Sequence, residues 1–195
     1  QQTLKLMQQD IAKIIKEVKS GNKMAFKYLV DQHQQYAFNV AFRVLCNEED
    51  AKDVVQESFI KIWKKINSFD AKLKFTTWMY KIVLNSAIDK MKSTRRINIL
   101  NIDKLEDSLG ELEKYGPDVQ IENQELGNMI TCISEGLPKK QRLVFVLRDL
   151  QGLDPVEVEK ILDMSDTSVK SNLYNARKFV REKLAKLMIY ERRVQ

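Results

Sequence analysis

At 195 residues, 44% of them hydrophobic and with only 6 glycines and 3 prolines, the chain can bury one core or two small ones and is too poor in turn residues for a strand-and-turn fold. Its net charge of +6 hides three blocks: 18 basic against 10 acidic residues in 1–96 give +8, 2 against 9 in 97–136 give −7, and 13 against 8 in 137–195 give +5. Cys46 and Cys132 have neither metal spacing nor a disulfide framework, and no apolar run nears about 18 residues, so both thiols are expected as small buried hydrophobes in a soluble, cytoplasmic chain without membrane insertion.

Met7, Ile11, Ile14, Ile15 and Val18 recur at helical spacing and Gly21 follows as a stop. Asn22 can cap a second helix that carries Ala25, Phe26, Leu29 and Val30, and Tyr36, Val40 and Val44 continue the stripe. Asn47 or Glu48 starts a third. There Val54, Val55, Phe59, Ile62, Trp63 and Ile66 share one face, with Asp53, Gln56, Glu57, Lys61 and Lys64 opposite. A loop over about 68–75 leads into a helix over about 77–92, closed by the basic run that ends in Arg95-Arg96. Residues 97–125 lose periodicity and hold Gly110, Gly116 and Pro117 among acids, which reads as a linker. The expected class is all-α: a helical domain over 1–96, an acidic linker over 97–124, and a second domain of three or four helices over 125–195.

Leu137-Pro138 opens a helix in that second domain. Asp154 is an N-cap with Pro155 at the first helical position, which defines a short helix to Leu162. Asp163 to Asp166 make a turn, and Asp166 or Thr167 caps the next helix. In it Val169, Leu173, Ala176 and Val180 face inward and leave Lys170, Ser171, Tyr174, Arg177, Lys178 and Arg181 for solvent or DNA. A short capped helix, a turn and a longer basic helix outline a helix-turn-helix, whose second helix enters a major groove. In the first domain Phe69, Phe75, Trp78 and Tyr80 interleave with Lys72, Lys74 and Lys81, and Lys81, Asn85, Asp89 and Lys92 form one polar ridge. Rings beside a basic track suit single-stranded nucleic acid, and helical spacing suits a packed core. Both readings of Trp78 are open at this point.

Residues 20–26 and 50–59 resemble the opening of the second conserved region of bacterial RNA polymerase sigma factors. Residues 69–82 with Asn85 to Asp89 are similar to its promoter-melting part, and 137–184 resemble the fourth region. Only these two regions are recognisable, joined by a short linker, as in the extracytoplasmic-function group of the sigma-70 family. The resemblance implies an alternative sigma factor that recognises −35 and −10 promoter elements and melts the −10 region. Its partners would be core RNA polymerase (the β′ clamp and the β flap), promoter DNA and an anti-sigma factor. Asp53, Gln56 and Glu57 would dock on the clamp. Phe69, Ala71, Lys72, Lys74, Trp78, Lys81 and Asn85 would hold the melted −10 element, with Lys92, Arg95 and Arg96 along duplex phosphates. Ser168, Lys170, Ser171, Tyr174, Arg177 and Lys178 would read the −35 element, and the linker would thread the polymerase interior.

The sequence departs from the family pattern at several places. Asn172 and Asn175 stand where Arg is frequent, Thr167 where Gly is common, Glu159 where a small residue is usual, and Asp70-Ala71 where Arg-Gly is usual. A free-standing helix-turn-helix regulator that binds duplex operator DNA is the alternative, and it has no reason to carry the second-region motifs. An enzyme is disfavoured by a single histidine, His33, and by the lack of a Gly-rich phosphate loop or a carboxylate pair in a clear pocket. No catalytic, metal or cofactor-binding residue and no small-molecule substrate are expected, and His33 is expected at the surface or its boundary.

Overall fold

The computed structural model describes residues 2–100 and 122–194, with side chains over 11–93, at 127 and over 129–187. The described elements are all helical. Helix α1 (Gln2–Lys19) ends at Gly21, whose φ of +91° is cheap only for glycine and lets the Asn22 N–H reach back to the Glu17 carbonyl (3.1 Å). The Asn22 side chain then accepts from the Met24 and Ala25 N–H groups at 3.0 and 3.2 Å and starts α2 (Lys23–Leu45). Asn22→Ala should lower stability by about 1 kcal/mol in a urea titration, and Asn22→Asp should keep most of it. An equal loss in both variants would mean that the cap contributes through something other than its acceptor.

Asn47 caps α3 (Glu48–Lys65) by accepting from Asp50 N–H at 2.8 Å. Three acids in the first turn and Lys64 and Lys65 in the last complement the helix dipole. A 3₁₀ turn (Ile66–Ser68) and the loop 69–74 lead to α4 (Phe75–Leu100). Leu29, Val40, Val44, Val54, Ile62, Met79, Val83 and Leu84 form the core between α2, α3 and α4, and α1 closes it with Ile15 and Val18. Helix α4 is longer than its periodicity predicts because neither Gly nor Pro interrupts it before Leu100. Residues 97–100, expected in the linker, continue α4, residues 122–124 open α5, and 101–121 lie outside the described residues.

The second domain holds α5 (Glu122–Ser134), α6 (Lys139–Phe145) running on into a π-helical turn (Val146–Leu150), α7 (Pro155–Leu162) and α8 (Asp166–Val194). Leu143, Val144, Leu147, Val158, Ile161, Val169, Leu173, Ala176 and Val180 are buried together. Asp154 caps α7 as expected, accepting from Glu157 N–H at 2.9 Å. Neither Asp166 nor Thr167 caps α8. Ser165 does so, its hydroxyl facing Ser168 N–H at 3.4 Å and its carbonyl taking Val169 N–H at 2.9 Å. Asp166 is the first helical residue and pairs one turn on with Lys170 at 2.7 Å. Glu159 is half-buried while Val158 and Ile161 fill the core, so its departure from a small residue leaves α7 docked.

Two further expectations change. His33 is buried, its Nδ1 2.9 Å from the Leu29 carbonyl and its ring edge-on to Phe75 at 5.0 Å. Burial holds its pKa below the usual histidine value. Cys46 is only half-buried and Cys132 is exposed, because they sit where the two domains meet and not inside either core.

Candidate nucleic-acid interface

The loop 69–74 is built by Asp70. Its carboxylate accepts from Lys72 N–H at 2.9 Å and its carbonyl from Leu73 N–H at 3.0 Å, an Asx turn that turns Ala71, Lys72 and Lys74 outward. The Phe69 ring is 5% exposed and lies against Phe75 (5.9 Å) and Trp78 (5.2 Å) under the Lys19 ammonium. Its carbonyl accepts from Lys19 Nζ at 2.9 Å. As the chain is folded here, Phe69 offers no open face to a base. Trp78 is half-buried and packs on Phe69 and Phe75. Tyr80 is buried, whereas Lys81, Asn85 and Asp89 are exposed on α4. Lys92 is exposed and pairs with Asp89 at 3.2 Å. The side chains of Arg95 and Arg96 lie outside the described residues.

On α3, Asp53, Gln56 and Glu57 are exposed along one face, and Ile60 continues it as an exposed apolar residue. Lys90 of α4 reaches Asp50 at 3.0 Å and Asp53 at 3.5 Å, and Lys61 reaches Glu57 at 2.8 Å. The acidic face is thus partly neutralised from within its own domain.

On α8, Lys170, Ser171, Tyr174, Arg177 and Lys178 are exposed, with Tyr174 at 69%. Ser168 is half-buried and is held by Asn172, whose amide donates to the Ser168 carbonyl at 2.8 Å. Asn172 therefore folds back on its own helix and presents no long cationic arm. Arg177 is not free for DNA in this arrangement, since it holds Asp149 of the π-helical turn through two bonds of 2.8 and 2.7 Å.

The two domains also meet each other. Lys74 of the loop pairs with Glu157 of α7 at 2.6 Å, Arg43 of α2 donates to the Leu150 carbonyl, and Cys46 Sγ lies 3.0 Å from Arg142 Nη2. Between them lies a cavity of about 670 Å³, lined by Ile15, His33, Tyr36 and Phe75 on one side and by Gln151 and Leu153 on the other. No local pattern in the sequence announces these contacts, because the paired residues stand 83 to 107 positions apart.

Family comparison places a sigma-70 region 2 match on residues 29–97 and a sigma-70 region 4 match on residues 127–180. The chain is 31% identical over 93% of its length to the whole of the extracytoplasmic-function RNA polymerase sigma factor SigW of Bacillus subtilis. It is 30% identical to the sigma-E factor of Salmonella typhimurium, over 90% of this chain and 94% of that one. Its fold is similar to that of the sigma factor RpoE solved in complex with the anti-sigma factor NepR from Bartonella quintana, with a TM-score of 0.64, 20% identity, and 82% and 96% of the two chains covered.

Proposed function

This chain belongs to the extracytoplasmic-function group of the sigma-70 family, and we propose that its two domains divide the work of promoter recognition between the faces described above. It is an alternative sigma factor that binds core RNA polymerase in the cytoplasm and directs transcription initiation, a recognition role and not a catalytic one. The α3 face of Asp53, Gln56 and Glu57 docks on the β′ clamp, and the second domain also meets the β flap. The loop carrying Ala71, Lys72 and Lys74, with Trp78, Lys81 and Asn85 on α4, holds the separated −10 strand. Stacking and a cationic track compensate the few kcal/mol that unstacking a base costs. Phe69 acts there as the support beneath Trp78, and Lys92, Arg95 and Arg96 follow duplex phosphate. Helix α8 enters the major groove of the −35 element with Ser171, Tyr174, Lys170 and Lys178, while Ser168, Lys170 and Arg177 first exchange their partners for DNA. An anti-sigma protein that covers these faces is the expected regulator.

The observation that carries this reading is the order of the two family matches, each on a folded domain with its binding face exposed. Run-off transcription on fragmented genomic DNA with core polymerase from the same cell tests it. Discrete transcripts that appear only when the chain is added are expected, and their absence at saturating protein would overturn it. Lys170→Ala should weaken −35 duplex binding and lower the slope of log K against log salt by about 0.9, the share of one phosphate contact. An unchanged slope would remove Lys170 from the phosphate track.

A further inference from the structure

The chain has two cysteines, one in each domain, and the domain contact brings them together. Cys46 ends α2 in the left-handed region (φ 53°), and its Sγ lies 3.7 Å from the Thr131 carbonyl. That carbonyl is the acyl half of the peptide bond to Cys132, so the Cys46 sulfur stands within about 7 Å of the Cys132 Cα. A disulfide holds its two β-carbons about 3.8 Å apart, so pairing these thiols requires a side-chain rotation at Cys132 and a closure of α5 onto α2. Cys132 is open to solvent while Cys46 is half-buried behind it. Arg142, itself buried, points Nη2 at Cys46 Sγ from 3.0 Å and has Glu135 at 3.9 Å on the same nitrogen.

We infer that Cys46 and Cys132 form a reversible inter-domain disulfide under hydroperoxide, locking the two domains closed.

The roles follow from exposure and charge. Cys132, as its thiolate, attacks one peroxide oxygen. The O–O bond breaks, hydroxide leaves and takes up a proton, and the sulfur becomes a sulfenic acid. Cys46 then gives up its proton beside the Arg142 guanidinium, which favours the thiolate, and attacks the Cys132 sulfur. The S–O bond breaks and the oxygen leaves as water. Two thiols and one hydrogen peroxide thus give one disulfide and two waters. Burial holds the Cys46 thiol well above its ordinary range, and burial with Glu135 raises Cys132 as well. The reaction therefore accelerates as pH rises. The consequence for transcription rests on the sigma-factor reading. Lys74 of the loop and α7 are engaged with each other in the closed arrangement, so a covalent closure holds that loop against the second domain and keeps the two halves too close together to reach both promoter elements.

The test uses the full chain, reduced and then exposed to hydrogen peroxide at mildly alkaline pH, alkylated and weighed intact. Loss of two hydrogens, loss of both alkylation sites and a linked peptide pair spanning Cys46 and Cys132 in the monomer are expected. Two alkylated thiols, oxygen added to Cys132 alone, or a bond only between chains would overturn the proposal. In run-off transcription the oxidised chain should lose transcript in proportion to its disulfide fraction and regain it with dithiothreitol, whereas Cys46→Ser and Cys132→Ser stay active in peroxide. Full activity of a chain carrying the mapped bond would overturn the lock. If even the reduced chain directs no transcript, it is the sigma-factor reading that fails, and the peptide mapping still decides the bond.

Discussion

Replacing Trp78 with alanine should slow promoter opening by about 5- to 150-fold, the range that follows from about 1–3 kcal/mol of stacking per base, while binding to core polymerase is kept. The selectivity rests on geometry. Trp78 lies at the base of the loop in the first turn of α4, twelve residues and so about 18 Å along that helix from Lys90, which meets the α3 acids on which polymerase docking is proposed. Its ring is in contact with Phe69 at 5.2 Å and Phe75 at 6.1 Å, so truncation also loosens the floor under Lys72 and Lys74. Two controls separate the effects. Trp78→Phe should recover most of the opening rate, because a ring that fills the same site still stacks. Asn85→Ala, at an exposed position of α4 with no packing to lose, should slow opening at unchanged thermal stability. Permanganate reactivity of unpaired thymines reads strand opening, and gel filtration with core polymerase reads binding. If both readouts fall together in Asn85→Ala, this face serves polymerase and not the melted strand.

Much of this arrangement is legible in the sequence because it is made of local rules. Caps at Asn22, Asn47 and Asp154, the stop at Gly21 and the apolar stripes of α3 and α8 each depend on residues within one or two turns of each other. Where two neighbours can serve the same local purpose, the reading slips: Ser165, not Asp166, caps α8, and Asp166, already inside the helix, pairs with Lys170 one turn later. His33 looks like a boundary residue between two glutamines, but it is the residue against which Phe75 closes the start of α4. Asp70 departs from the family's usual residue, yet Asp favours the Asx turn that the loop adopts, a signal that turn chemistry could have supplied. The engagement of Lys74 with Glu157, or of Cys46 with Arg142, has no such signal. It depends on how two separately folded domains lie against each other.

That domain contact leads to the larger expectation, a separation of the domains by tens of ångströms on promoter binding. The −10 and −35 elements lie about 25 base pairs apart by their names, and at about 3.4 Å per pair their centres are about 85 Å apart along the duplex. In the free chain the loop 69–74, proposed above for the −10 element, touches α7 directly through Lys74 and Glu157. Helix α7 spans only Pro155–Leu162, about 12 Å at 1.5 Å per residue, so the start of the recognition helix lies far too close to the loop for one chain to reach both elements in this arrangement. The contact must therefore open, which means releasing the pair of exposed Lys74 with half-buried Glu157 together with the Arg43–Leu150 and Arg142–Cys46 contacts. With fluorophores on cysteines introduced at exposed Gln32 and Lys160, in a chain lacking Cys46 and Cys132, energy transfer should be efficient for the free protein and nearly lost on core polymerase bound to a promoter. Glu157→Lys, which turns the pair into a repulsion, should lower transfer in the free chain and speed holoenzyme assembly. Transfer that stays high on a transcribing complex would mean that the two domains read DNA from one side of a closed body, and that −35 recognition belongs to a surface other than α8.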